Sequence, residues 1–133
     1  MQKNRQKLLE AKIQIPNVQK DFLKRELLLN ELAESKEKIL VLHATIGYGK
    51  TVLMSQYIKS SKNFCAWYHL DSLDNEVSIF IQYFVQSIKN ALGDFVFHIE
   101  RYLGTEKISV LQIIRELVIE LTEYISGIPE QKL

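Results

Sequence analysis

Ile39-Leu40-Val41-Leu42-His43-Ala44-Thr45-Ile46-Gly47-Tyr48-Gly49-Lys50-Thr51 sets four aliphatic residues directly before a glycine-containing loop that ends in Lys-Thr. A short run that is apolar at every position, flanked by Lys38 and His43, predicts a strand buried on both faces, as in parallel sheets. After the loop, Val52, Leu53, Tyr57 and Ile58 recur at helical spacing until Ser60-Ser61-Lys62-Asn63 interrupts them. The loop matches the phosphate-binding pattern G-x-x-x-x-G-K-[ST], with Tyr48-Gly49-Lys50-Thr51 intact and Ala44 in place of the first glycine. Such a loop turns its amide hydrogens inward around phosphate oxygens, which needs backbone angles that Gly47 and Gly49 permit. The helix that follows aims free N–H groups and partial positive charge at the same anion. Lys50 is placed to reach the β- and γ-phosphates, and the Thr51 hydroxyl to ligate Mg²⁺. The expected ligand is therefore a polyphosphate accompanied by Mg²⁺. The expected site is Ala44, Thr45, Ile46, Gly47, Tyr48, Gly49, Lys50, Thr51 and Val52, with no catalytic residue among them. The bland alternative is a strand-to-helix turn with a solvated lysine.

Working outward, Pro16 follows Lys12-Ile13-Gln14-Ile15 and ends any N-terminal helix. From Asp21, the residues Phe22, Leu23, Leu27, Leu28, Leu29 and Leu32 mostly share one helical face until Ser35-Lys36-Glu37 breaks the pattern. Downstream, Phe64 to Leu70 predicts a second strand, and Asp71 to Asn75 a cap-rich turn. Ile79, Phe80, Tyr83, Phe84, Ser87, Ile88 and Ala91 describe an amphipathic helix closed by Gly93. A short helical segment is expected from Phe95 to Leu103. A last helix is expected from Ser109 to Ile125, with Val110, Ile113, Ile114, Leu117, Val118 and Leu121 inside and Gly127 and Pro129 stopping it. The expected fold class is α/β and helix-rich: part of a three-layer αβα P-loop domain with a parallel sheet. Residues 1–36 read as a lead-in with a helix and residues 37–133 as the first part of the nucleotide-binding domain.

Composition narrows the class. With 133 residues, 47% hydrophobic and 25% charged, the chain has an ordinary globular balance. The formal net charge of +1 creates no global pull toward nucleic acid or anionic membrane. Met1 to Lys12 lacks a signal-peptide core, no apolar run approaches a membrane span, and the lone Cys65 closes no internal disulfide. A cytoplasmic location is expected.

His43 to Leu53, then Ala66-Trp67-Tyr68-His69-Leu70-Asp71-Ser72-Leu73-Asp74-Asn75 and Phe80, resemble the N-terminal ATPase domain of MalT-like, LuxR-family transcriptional regulators, which are STAND-type NTPases. Upstream, Ile13-Ile15-Pro16 and Arg25 with Leu28, Leu29 and Leu32 look like that family's lead-in. The resemblance runs from Lys12 to about Tyr124. It implies an ATP-dependent switch in a transcription regulator, with the acidic Walker B strand expected after the last helix. No Asp-Asp pair after an apolar run occurs in this chain, so hydrolysis by the chain alone is expected to be negligible. The expected partners are ATP and either a second copy or the remainder of a larger regulator, without direct DNA or membrane binding. An incomplete sheet would leave strand edges unpaired and favour self-association. Two alternatives stand beside this reading: a small P-loop kinase or transferase, and an interaction module that binds no nucleotide.

Other residues read more plainly. Trp67 and Tyr68 suit a core strand better than an adenine platform. Asp74 or Asn75 is expected to cap the helix starting near Glu76. His43 and His69 read as packing or hydrogen-bonding groups, Cys65 as a buried thiol, and Glu116 with Glu120 as solvated. Lys3, Arg5 and Lys7 are too sparse for a nucleic-acid arm. Arg25 is left between nucleotide contact and surface salt bridge.

Overall fold

The computed structural model describes residues 10–98, 101–102 and 109–127. They form two units, residues 15–63 and residues 64–127 together with 10–14.

In the first unit, helix α1 (Glu26–Glu34) packs against helix α2 (Lys50–Ser60). α1 starts with Glu26 in its first turn, where a carboxylate complements the helix dipole, and ends at Ser35, whose backbone is extended. Phe22 and Leu23, expected within this helix, lie before it and are exposed. Leu32 and Leu53 are the buried apolar residues of this unit. Polar ties supplement this small core. The Gln56 amide donates to the Phe22 and Leu23 carbonyls at 3.4 Å each, and Lys59 Nζ to Asn17 Oδ1 at 3.3 Å.

The second unit carries the larger core. Residues 10–13 are helical and stop before Pro16, as expected. A 3₁₀ turn (Ser72–Asn75) leads into helix α3 (Val77–Leu92), and helix α4 (Val110–Ser126) follows. α3 ends at Gly93, whose φ of 67° is a conformation that L-residues rarely adopt. α4 begins with a reciprocal cap: Gln112 N donates to Ser109 Oγ, and Ser109 N donates to Gln112 Oε1. Ile81 and Val85 of α3 meet Ile113 and Leu117 of α4 around Phe95 and Phe97. Residues 95–98 are not helical, against expectation. Phe95 and Phe97 are buried while Val96 between them is exposed, the period-two alternation of an extended segment. Leu103, the expected end of that segment, lies outside the described residues. The Tyr124 hydroxyl donates to the Leu92 carbonyl at 3.1 Å, and its ring meets Phe95 edge-on, which ties α4 to the end of α3. On α4 the buried stripe is narrower than expected, since Val110, Ile114 and Val118 are exposed.

The expected sheet is overturned. Among the described residues there is no β-strand, so neither the parallel sheet nor the three-layer αβα architecture is present. A strand has no internal hydrogen bonds and exists only when a neighbour accepts its N–H groups and donates to its carbonyls. Residues 38–44 find no such neighbour among the described residues, and Ile39 and Val41 are 81% and 83% exposed. In the segment 64–70, the His69 amide donates to the Lys12 carbonyl at 2.7 Å, but no ladder forms among the described residues. Apolar runs set strand propensity; pairing decides whether a strand forms. Among the described residues, no helix is long and apolar enough to cross a membrane.

Candidate functional site

Two polar constellations stand out, one in each unit. In the first unit, residues 44–51 form a turn rather than a strand-to-helix crossover. The Tyr48 amide donates to the Thr45 carbonyl at 3.3 Å, closing the turn. Gly47 and Gly49 flank Tyr48 with φ of 89° and 76°, angles that cost a side-chain-bearing residue roughly 1–2 kcal/mol. Gly49 is the N-cap of α2, and its carbonyl accepts the first helical bond from Leu53 N at 2.9 Å. Lys50 therefore opens the helix, where free amides and the dipole favour an anion.

In this structure Lys50 is turned onto the loop itself. Its Nζ donates to the Ala44 carbonyl at 2.5 Å and to the Thr45 carbonyl at 3.0 Å. An arriving phosphate would compete with these carbonyls for the ammonium. Ile46, Tyr48 and Thr51 are exposed, and Val52 is half-buried. Gly47, Gly49 and Val52 line a cleft of about 220 Å³ together with Phe22, Arg25 and Gln56. Arg25, undecided in the sequence, reaches the loop: its Nη2 donates to the Tyr48 carbonyl at 2.5 Å. Among the described residues no carboxylate pairs with it.

The second constellation centres on Lys12, which sequence reasoning passed over. Lys12 Nζ lies 2.9 Å from both carboxylate oxygens of Asp74 and 2.9 Å from Asp71 Oδ2. It also sits 4.7 Å from the centre of the Tyr83 ring, within cation–π range. The Tyr68 hydroxyl donates to Asp74 Oδ1 at 2.7 Å, and the Asp71 amide to Asp74 Oδ2 at 2.7 Å. Asp71, rather than Asp74 or Asn75, is the capping residue, and it caps the 3₁₀ turn; Glu76 precedes α3 without a side-chain cap. Burial pushes the Asp74 carboxyl up, but Lys12, the Asp71 amide and the Tyr68 hydroxyl outweigh it and bring it down to about 2. Burial lowers the Lys12 ammonium, and its bonds to Asp74 and Asp71 more than compensate, leaving it raised. Burial and the bond to Asp74 raise the Tyr68 phenol, which keeps it a donor. No local signature announces Lys12, because its partner Asp74 is 62 positions away.

Of the remaining candidates, Tyr68 is half-buried and stacks on Phe80 and Tyr83, and Trp67 is half-buried. Cys65 is half-buried rather than buried, His43 and His69 are exposed, and Glu116 and Glu120 are half-buried rather than fully solvated. No group of three or more His, Cys, Asp or Glu among the described residues is placed to hold a metal ion.

A structured loop at a helix start, set among helices, is what these residues define, and over much of its length the chain is similar to HTH-type transcriptional regulators. The relatives are MalT proteins. MalT of Klebsiella pneumoniae is 29% identical over 119 residues, covering 88% of this chain and 13% of that protein. MalT of Cronobacter sakazakii is 33% identical over 87 residues, and MalT of Yersinia pestis 29% over 87 residues, each covering 65% of this chain and 10% of the relative. The chain thus spans 13% or less of the length of these relatives. A match spanning 88% of 133 residues contains residues 44–51 wherever it begins. No protein-family model matches the chain. No solved structure matches it.

Proposed function

We propose that this chain is the nucleotide-binding part of a MalT-like transcription regulator, working in the cytoplasm. Its phosphate loop, Ala44 to Val52, takes the phosphates of ATP, and Thr51 contributes a hydroxyl to the accompanying Mg²⁺. The observation that carries this reading is the pair of left-handed glycines, Gly47 and Gly49, at the start of an 11-residue helix whose first residue is Lys50. That geometry collects amides, a helix N-terminus and a cation at one place, which suits a polyphosphate. Binding would require Lys50 to exchange the Ala44 and Thr45 carbonyls for phosphate oxygens. Similarity to MalT proteins supports the regulatory setting, with the remainder of such a regulator, or a second copy, as the partner.

The test is calorimetric titration of Mg-ATP into the chain and into Lys50→Ala. Binding by the parent that disappears in the variant is the expected result. Absence of binding by a parent shown to be folded would remove the nucleotide reading. A second reading, an interaction module that uses no nucleotide, draws on the exposed apolar run at Ile39 and Val41. It gains if titration is silent while the chain self-associates.

A further inference from the structure

Arg25 occupies an unusual place. Its carbonyl accepts the bond from Leu29 N at 3.0 Å that starts α1, while its guanidinium donates to the Tyr48 carbonyl in the loop before α2. One residue therefore links the start of one helix to the turn that starts the next. The contact is close on a second count. A Cβ built on Gly49 would lie 2.9 Å from Arg25 Nη2, nearer than real Cβ contacts allow. Gly49 is thus required by its φ of 76°, and a Cβ there would in addition push the flexible tip of Arg25 aside. Gly47, by contrast, has nothing within 4 Å of the corresponding position. The Tyr48–Gly49 peptide is held from its carbonyl side by Arg25, which leaves the Gly49 amide side of the turn clear of that contact.

We propose that Arg25 is a positioning residue: its guanidinium holds the Tyr48–Gly49 peptide in the left-handed turn that caps α2 and shapes the phosphate loop. The purpose of that shape rests on the nucleotide reading above; the brace itself does not. A charge-assisted bond to a carbonyl is stronger than a neutral one, and a single ammonium cannot reproduce the planar fork of arginine. Without the brace, the turn is stabilised by the weaker Tyr48–Thr45 bond and by Lys50 alone.

The experiment compares the ligand-free chain with Arg25→Ala and Arg25→Lys by NMR relaxation of the Gly47 and Gly49 amides, each folded state being checked by its thermal melt. The parent loop is expected to show order parameters near the ~0.85 of rigid backbone, and Arg25→Ala values below ~0.6 with an unchanged melt. Arg25→Lys restores part of the order. Arg25→Lys keeps the test available if Arg25→Ala fails to fold, because it retains the charge and loses the fork, and its loop is expected to be less ordered than the parent's. A loop as ordered in Arg25→Ala as in the parent overturns the proposal, as does an Arg25→Lys loop with the full order of the parent. Mg-ATP titration of the same samples separates the two readings. If the loop is competent about one tenth of the time in Arg25→Ala, the apparent affinity falls about tenfold. A parent that binds no Mg-ATP, beside an Arg25→Ala loop that loses order, removes the nucleotide reading and leaves the brace standing.

Discussion

The two units hold their polar constellations by different means. In residues 64–127 with 10–14, Ile81, Val85, Phe95, Phe97, Ile113 and Leu117 form a contiguous apolar core, and the Lys12–Asp74 pair is largely withdrawn from water. In residues 15–63 the buried apolar side chains are Leu32 and Leu53, and the loop is shaped by two glycines and by Arg25 and Lys50 bonding to its carbonyls. The candidate ligand site thus lies where local free energy is small and adjustable, a common circumstance for binding loops. The lesson is that the loop's geometry owes more to backbone conformation and charge than to packing.

The contrast is most severely tested in the core. Phe97→Ala removes a ring with 0% exposure, and we expect a loss of about 3–5 kcal/mol, read by denaturant titration. A loss below about 1 kcal/mol would mean that the second unit is not core-held. Asp74→Asn comes next. The folded carboxyl lies near 2, below the ordinary 3.8, so the unfolded chain binds the proton more tightly. Its contribution is full above about pH 4 and fades as pH falls through 2. Stability of the parent and of Asp74→Asn should therefore differ at neutral pH and converge near pH 2. Parallel acid profiles for the two proteins would sink the ion-cluster account. The smallest effect is expected for Ile39→Lys combined with Val41→Lys, because both side chains face solvent. Stability should move by less than about 0.5 kcal/mol, while light scattering should show weaker self-association than in the parent. A large loss of stability instead would place these residues in packing that the structure does not show.

Much of the helical content was legible, because amphipathic spacing and stop signals are local. Gly93 closes α3, Ser60 ends α2, and Ser109 starts α4, each as its sequence neighbourhood implies. The sheet was misread for the complementary reason: Ile39 to Leu42 states a preference, and the partner that would satisfy it is a tertiary fact. The alternation Phe95-Val96-Phe97 was read as helical because it is too short for a period to declare itself. At the loop, the demand for permissive glycines followed from the pattern, and both adopt positive φ. The Lys12 cluster and the Arg25 contact depend on residues far apart in the chain, which no spacing rule reports.

Lys50, bound to the Ala44 and Thr45 carbonyls, has a kinetic consequence. Side-chain rotation takes picoseconds to nanoseconds, far shorter than the interval between productive encounters at ordinary ligand concentrations. The lysine would therefore act as a latch in rapid equilibrium, free for an anion in only a fraction of encounters. For an anion that used this loop, the cost of freeing the ammonium would appear in the rate of capture, scaled by the open fraction, and not in how soon the anion leaves.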